Sequence, residues 1–134
     1  MSHDKMYPRD SRFFVCEQVR NEAGNKLTLL GCYTSGHIVA NKKIKDDEPA
    51  ELEIAFVITL LDGYGKFRVS LDVLAPDERP VFSDQVGETV MSKGKGHDLV
   101  FQFRPLQFPS PGTYVVKLGL DESTYKYTFQ LSNP

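Results

Sequence analysis

The stretch of sequence that decides the fold is residues 51–74, which read ELEIAFVITLLDGYGKFRVSLDVL. Apolar side chains occupy every second position through residues 52–60, and again through residues 67–73. Alternation with a period of two indicates β-strands with one buried face, because a helix repeats its apolar positions every three to four residues. Residues 62–65, DGYG, favour a turn between the two runs. We therefore predict a β-hairpin here.

Strand-like segments continue on both sides of this stretch. Residues 12–20 and 26–35 are rich in aromatic and β-branched residues and flank NEAGN, a turn sequence whose glycine suits a positive φ. Alternation returns at residues 99–103, and residues 113–120 and 124–131 predict a last hairpin. No segment has the apolar spacing and capping signals of a helix. The chain is therefore predicted to be all-β, an antiparallel β-sandwich of about seven to nine strands.

The chain is interpreted as a single domain, because 134 residues is close to the usual domain size. We assign residues 12–132 to the sandwich and residues 1–11 to a polar N-terminal tail. Within the domain, residues 37–41 predict a short strand or a bend. Residues 81–91 predict one or two short strands, and residues 105–111 predict a proline-rich loop.

Composition and charge exclude several classes of protein. With 40% hydrophobic and 25% charged residues, the chain is too apolar to be disordered. A formal net charge of −2 argues against binding to the phosphate backbone of nucleic acids. The apolar runs are too short to span a membrane, and the polar N-terminus is unlike a secretory signal. We expect a cytoplasmic protein, with neither a membrane nor a nucleic acid as its partner.

Some of the predicted strands carry apolar residues on both faces. A sheet face in contact with water is normally polar, so a cover over the second face is expected. Three covers fit the sequence: a loop or terminus of the same chain such as residues 6–8, a second subunit or partner protein, or the interior of a barrel. The candidate partner interface consists of Phe14, Cys16, Leu30, Cys32 and Val57.

Both cysteines lie on this second face, in neighbouring predicted strands. A tight turn that pairs Asn21 with Asn25 sets Cys16 opposite Leu30 and leaves Cys32 on the diagonal, too far away for an unstrained disulfide. A register shifted by two residues brings the two thiols opposite each other. We expect two buried free thiols, as is usual in a reducing compartment.

No arrangement of residues predicts catalysis or a cofactor. The loop KGKGHD, residues 93–98, has the glycines and lysines of a phosphate-binding loop, but a strand rather than a helix follows it. His97 and Asp98 are neighbours in an extended segment, so their side chains point to opposite sides and do not form a catalytic pair. The histidines lack metal-ligand spacing. We expect no metal, no cofactor and no enzymatic activity.

Three segments of the chain resemble a known family. They read FFVCEQVRNEAGNKLTLLGCY (residues 13–33), LEIAFVITLLDGYGKFRVSLDVLAPD (52–77) and FQFRPLQFPSPGTYVVKLGLD (101–121). Together they resemble a family of small bacterial proteins of about this length whose function is unknown. The resemblance implies a bacterial cytoplasmic β-sandwich, and it transfers no catalytic residue.

The segment PGTYVVKLGLD, residues 111–121, is also similar to a strand start in immunoglobulin-like sandwiches. Tyr114 stands near the beginning of its strand, where the hydroxyl of a tyrosine corner bonds to upstream backbone. The tryptophan and cysteine pattern of true immunoglobulin domains is absent from the sequence. We therefore expect an immunoglobulin-like architecture, from which no function follows.

These observations favour a non-enzymatic interaction module that contacts itself or a protein partner through an apolar sheet face or an edge strand. A homodimer is the simplest use of such a face. One alternative is a sandwich that binds a small ligand, or acts as an enzyme, through the end loops 92–98 and 105–112. The other is a structural component of a phage or another assembly.

Overall fold

The computed structural model describes residues 5–134 as ten β-strands joined by turns and loops. The strands are β1 (Asp10–Cys16), β2 (Gln18–Glu22), β3 (Lys26–Leu30), β4 (His37–Val39), β5 (Ala50–Leu61), β6 (Gly65–Leu74), β7 (Pro80–Met91), β8 (His97–Phe108), β9 (Gly112–Leu120) and β10 (Ser123–Ser132). Within residues 5–134, no helix has the length and apolar character needed to cross a membrane. The prediction of an all-β chain is confirmed, with ten strands instead of seven to nine.

The strands form two main sheets that pack face to face. One sheet has three strands in the order β1-β5-β8, and the other has five in the order β4-β10-β9-β6-β7. Within residues 5–134, strands β2 and β3 pair with each other and with no other strand. All these pairings are antiparallel except that of β4 with β10, which is parallel. The predicted sandwich is therefore confirmed, and the short strand expected within residues 37–41 supplies a parallel edge.

The core lies between the two sheets and is built from the alternating apolar positions that the sequence shows. Strands β1 and β10 contact each other through aromatic rings. Phe13 of β1 stacks on Tyr127 of β10, with ring centroids 4.9 Å apart. Phe56 of β5 lies 5.6 Å from Phe129 of β10, measured between ring centroids. The buried side chains of β5 and β6 that face the core are Ile54, Phe56, Ile58, Leu60, Phe67, Val69, Leu71 and Val73.

The prediction that residues 51–74 form a hairpin is wrong, although both of its strands exist. β5 belongs to the three-stranded sheet and β6 to the five-stranded sheet, so the turn at residues 62–64 carries the chain from one layer to the other. The two apolar stripes face each other across the core. An alternating pattern indicates which face of a strand is buried. The pattern does not distinguish a neighbour in the same sheet from a strand that packs across the core in the other sheet.

The first predicted strand, residues 12–20, is broken at Glu17. β1 ends before Glu17 and pairs with β5, whereas β2 starts after it and pairs with β3. The amide of Glu17 donates hydrogen bonds to the carbonyl oxygens of Leu30 and Gly31, at 3.0 and 3.2 Å. These bonds fold the β2–β3 hairpin back against the three-stranded sheet.

The register of this hairpin also differs from the prediction. Glu22 pairs with Lys26 in the structure, so Asn21 does not pair with Asn25. Gly24 and Asn25 both have positive φ, at 79° and 58°. The turn therefore contains two consecutive residues in the left-handed conformation, whereas the prediction required only one, Gly24.

Residues 5–9 lie across one end of the sandwich. Met6 and Tyr64 exchange backbone hydrogen bonds of 2.9 and 3.0 Å, and the hydroxyl of Tyr125 donates to the carbonyl oxygen of Pro8 at 3.0 Å. The first strand begins at Asp10, inside the predicted tail of residues 1–11. Residues 1–4 of that tail lie outside the described residues.

The connection between β8 and β9 contains the expected tyrosine corner. The hydroxyl of Tyr114 donates a hydrogen bond of 2.6 Å to the carbonyl oxygen of Ser110, four residues upstream. The predicted proline-rich loop is shorter than expected, because β8 continues to Phe108. The register between β8 and β5 shifts between Leu52 and Ile54. This irregularity accommodates Pro105 within β8, which is an edge strand of its sheet.

Candidate functional site

The outer face of the three-stranded sheet, which points away from the core, carries two cross-strand rows of interest. In one row Val57 of β5 lies between Phe14 of β1 and Val100 of β8. Val57 is 2% exposed, whereas Phe14 is 38% and Val100 39% exposed. In the other row the central residue is Ala55, which is fully buried. The middle of this face is therefore covered, whereas the row through Val57 is open at both of its ends.

The cover is the β2–β3 hairpin of the same chain. Its apolar side chains pack on the centre of the outer face in one small cluster, which consists of Cys16, Ala55 and Val57 with Val19, Leu27, Leu29 and Cys32. The sequence offered residues 6–8 as the covering segment, and this detail is wrong. Those residues lie at the end of the sandwich, where the Tyr7 ring is 5.2 Å from that of Phe67.

One polar side chain fastens the hairpin to the sheet. The Gln102 amide group donates to the carbonyl oxygens of Glu17 and Ile54, at 3.0 and 3.2 Å. Its oxygen accepts a bond of 3.2 Å from the Val19 amide. These bonds satisfy backbone groups at the bend into β2, so Gln102 links β8 to both the hairpin and β5.

The hairpin does not present the face that was predicted. Leu27 and Leu29 point to the sheet, whereas the sequence placed Leu30 there with Cys32. Gly31, which has a φ of 64°, separates the two segments, so Cys32 reaches the same cluster although its parity is opposite to that of the leucines. The break at Glu17 has the same effect before the hairpin turn, because Cys16 and Val19 reach the same cluster from positions of opposite parity.

Both thiols are free. Cys16 is fully buried, and Cys32, which is partly buried, packs against the same cluster. Burial raises the pKa of the Cys16 thiol to about 11, and the neighbouring Cys32 acts in the same direction. A thiol in this state is a weak nucleophile, because only the thiolate reacts readily.

The five residues of the predicted interface are therefore separated by the structure. Cys16 and Val57 are buried under the hairpin, and Leu30 and Cys32 are partly buried. Phe14 is the member that remains well exposed. A partner that touches this face reaches Phe14 and the unpredicted Val100, on the two sides of the covered centre.

A second surface adjoins Val100, where the edge strands of the two sheets face each other. We call it the β7–β8 groove; its lining residues are Val69, Val86, Gly87, Glu88, Thr89, Leu99, Val100 and Phe101, and its volume is about 200 Å³. Val86 is 42% exposed on the rim. Gly87 contributes no side chain to this lining, and the space beside it is open, since a Cβ atom at residue 87 would meet nothing within 4 Å.

Strand β7 is the edge of the five-stranded sheet along its whole length. It pairs with β6 on one side, and within residues 5–134 no other strand pairs with its outer edge. The β6–β7 register shifts between Val69 and Ser70, which makes Val86 a bulged residue beside Gly87. This site was not predicted from the sequence. The glycine that interrupts the predicted strand of residues 81–91 was the available signal, because glycine within a strand often marks a bulge.

The end loops 92–98 and 105–112 do not form a common site. They lie towards opposite ends of the twelve-residue strand β8, which is about 35 Å long at the usual rise per residue. His97 and Asp98 have separate partners, as expected for neighbours in a strand. The His97 Nε2 atom lies 2.5 Å from the Thr89 hydroxyl, and Asp98 accepts a bond of 2.6 Å from the Thr59 hydroxyl.

Two further cavities are lined mainly by charged loop and strand residues. The cavity near the N-terminal segment, about 440 Å³, contains Lys5, whose ammonium group pairs with Asp121 and lies 4.7 Å from the centroid of the Phe67 ring. The Asp121 carboxylate also accepts a bond of 2.8 Å from the Arg68 amide. These contacts lower the pKa of Asp121, the Lys5 hydrogen bond most of all. They fasten residues 5–9 to the sandwich.

Comparison with protein families identifies the chain. A family model described as a family of unknown function, DUF6941, matches residues 11–129. The chain belongs to the DUF6941 family. The match covers almost all of the sandwich, and the expected membership of a family without known function is confirmed. A comparison with curated proteins gives no match.

Proposed function

We propose that this DUF6941 protein is a non-enzymatic interaction module that binds an extended segment of another protein at the β7–β8 groove. The observation that carries the proposal is the combination of a twelve-residue strand, whose outer edge is unpaired within residues 5–134, with an adjacent groove lined by five apolar residues. An edge strand offers backbone donors and acceptors to an added strand, and an adjacent pocket holds one of its side chains.

Exposed apolar side chains on the same side of the molecule support the proposal. Val86 and Val100, which are 42% and 39% exposed, both line the groove. Apolar residues exposed in a connected group mark interaction sites more often than isolated ones do. Val39 on β4, although 59% exposed, belongs to no such group.

The proposal includes a bacterial cytoplasmic setting and an immunoglobulin-like relationship between the sheets. The two free cysteines favour a reducing compartment. The bond between Tyr114 and Ser110 supports the immunoglobulin-like architecture, because tyrosine corners recur in sandwiches of that type.

Site-specific photo-crosslinking in the native host tests the binding proposal. A photoreactive phenylalanine analogue replaces Val86, and the matched control carries it at Val39 on the opposite edge of the same sheet. We expect a discrete adduct with a different protein from position 86 and none from position 39. An adduct of twice the 15.1 kDa chain mass would indicate self-association instead. Equal labelling from both positions, or none, would contradict the proposal.

A further inference from the structure

We infer that the partner segment is basic: an extended strand in which Lys or Arg residues flank an apolar side chain that enters the β7–β8 groove. This inference rests on the proposed function and specifies the chemistry of the partner at that site.

The size and shape of the groove favour a side chain over a free small molecule. Its volume of about 200 Å³ lies below the roughly 300–1,000 Å³ of typical small-molecule pockets. The open space lies over Gly87, immediately beside the unpaired edge of β7. A side chain of a strand added to that edge can enter the space, because alternate residues of a strand project from its two faces. Leu99, Phe101 and Val69 make the lining apolar.

Charge along β7 specifies the residues on either side of this anchor. Between Pro80 and Met91 the charged residues are Asp84 and Glu88, and both are acidic. Register with β6 places Asp84 opposite Leu71, on the core side, and Glu88 opposite Arg68, on the outer side. The bulge at Val86 therefore sends the two carboxylates to different faces, and an added strand meets negative charge on both.

The two carboxylates differ in the counter-charges that the chain supplies. Glu88 pairs with Lys66 at 3.3 Å and lies opposite Arg68, but its side chain is 56% exposed and stays accessible to a partner. Asp84 has no ion-pair partner among the described residues, and its carboxylate accepts a bond from the adjacent Gln85 amide. Lys or Arg on the partner strand supplies the missing opposite charge.

The same charges disfavour a second copy of this chain as the occupant. Antiparallel pairing of β7 with its own copy joins two strands that each carry Asp84 and Glu88. Such a ribbon holds two carboxylates from each copy and no basic residue from either β7. Like charges across paired strands are destabilising, whereas a basic strand gains from the same positions.

A peptide library tests the inference directly. Random nine-residue peptides displayed on phage are selected on the immobilised full chain, and selected peptides are titrated into isotopically labelled protein while the backbone amides are followed by NMR. We expect selected peptides that shift the β7 amides and carry Lys or Arg on both sides of an apolar residue. The double variant Asp84→Lys, Glu88→Lys should bind them at least about ten-fold more weakly.

The matched control is Asp46→Lys, Asp47→Lys, which makes the same charge change at exposed loop positions and should retain full affinity. Peptides that shift β7 amides but lack basic residues, or that bind the β7 double variant equally, would overturn the inference and leave the proposed function intact. Selection of no peptide that acts at β7 would also overturn it. The proposed function is then judged by crosslinking from position 86.

Discussion

The Tyr114 hydroxyl is held by the backbone of a single residue, Ser110: it donates to the carbonyl oxygen at 2.6 Å and accepts from the amide at 3.3 Å. The ring is fully buried and stacks on Phe129, with centroids 5.4 Å apart. One side chain thus fixes both the start of β9 in the core and the path of the preceding loop.

Removal of this hydroxyl predicts a measurable loss of stability. Tyr114→Phe keeps the ring and leaves the Ser110 backbone groups without their partner, which should lower the free energy of unfolding by about 1–3 kcal/mol. Urea denaturation measures the change. Tyr64→Phe is the control, since the Tyr64 hydroxyl makes no side-chain hydrogen bond within residues 5–134. Equal losses in the two variants would argue against the role of the corner.

Gln102 predicts that the β2–β3 hairpin can be loosened without loss of the sandwich. Gln102→Leu removes the bonds to Glu17, Ile54 and Val19 and should cost about 1–3 kcal/mol. Hydrogen exchange should quicken in the hairpin and remain slow in β9 and β10. The exposed Gln107 lies on the same strand, and Gln107→Leu should leave exchange unchanged. Uniformly faster exchange across both sheets would contradict a local role.

The buried thiol predicts a specific dependence of stability on alkaline pH. The Cys16 pKa is raised from 9.0 to about 11, chiefly by burial. The folded state therefore holds this proton more tightly than the unfolded chain does. The contribution of the protonated thiol to the free energy of unfolding is fully present below about pH 9, and it is lost as the pH rises towards 11. The expected loss is about 1 kcal/mol near pH 10.

Comparison of the free energy of unfolding at about pH 8 and pH 10 measures this effect in the wild type and in Cys16→Ala. The alkaline loss should be smaller in Cys16→Ala by about the stated amount, while Cys32→Ala retains most of it. Tyr114, Tyr125 and Tyr127 titrate in all three proteins and cancel in the comparison, because Cys16 is not among the causes of their raised pKa values. Identical pH profiles for wild type and Cys16→Ala would refute the assignment.

Gly63 lies where the turn between β5 and β6 contacts the N-terminal segment, and we expect this close contact to need a glycine. A Cβ atom at residue 63 would lie 2.8 and 2.9 Å from the backbone N and Cα atoms of Pro8, neither of which can move easily. Gly63→Ala should displace residues 5–9, cost about 1–3 kcal/mol and speed tryptic cleavage after Arg9. In Gly96→Ala the new Cβ makes its one tight contact with the flexible end of Leu61, at 3.2 Å, and its other neighbours lie at an ordinary 3.8 Å, so cleavage should stay slow.

The layers of the fold could be predicted from alternation, whereas the partners of the strands could not. β9 and β10 were paired correctly because a short turn joins them within one sheet. β5 and β6 show equally clear alternation but belong to different sheets. What separates the two cases is the path of the connection, and at Gly63 that path depends on contact with Pro8, which is remote in sequence.

The covered face was predictable and its cover was not. Apolar residues such as Cys16 and Val57 opposite the main core stripe correctly indicated that the outer face is buried at its centre. The identity of the cover depends on the bend at Glu17 and on the positive φ of Gly31, which together reverse the parity of the hairpin. The β7–β8 groove was missed because it depends on Gly87 in one sheet and Leu99 in the other.

Strand β10 has a consequence for the order in which the protein is made and folded. Its residues pair with β9 and β4, while the Tyr125 and Tyr127 hydroxyls bond to Pro8 and Ser11, 117 and 116 residues earlier in the chain. During translation, β1 and β5 emerge from the ribosome long before the strand that closes the sandwich over them. Because the sandwich needs the contacts that β10 makes, it is completed only after β10 has been synthesised. Folds dominated by such distant contacts form in milliseconds to seconds.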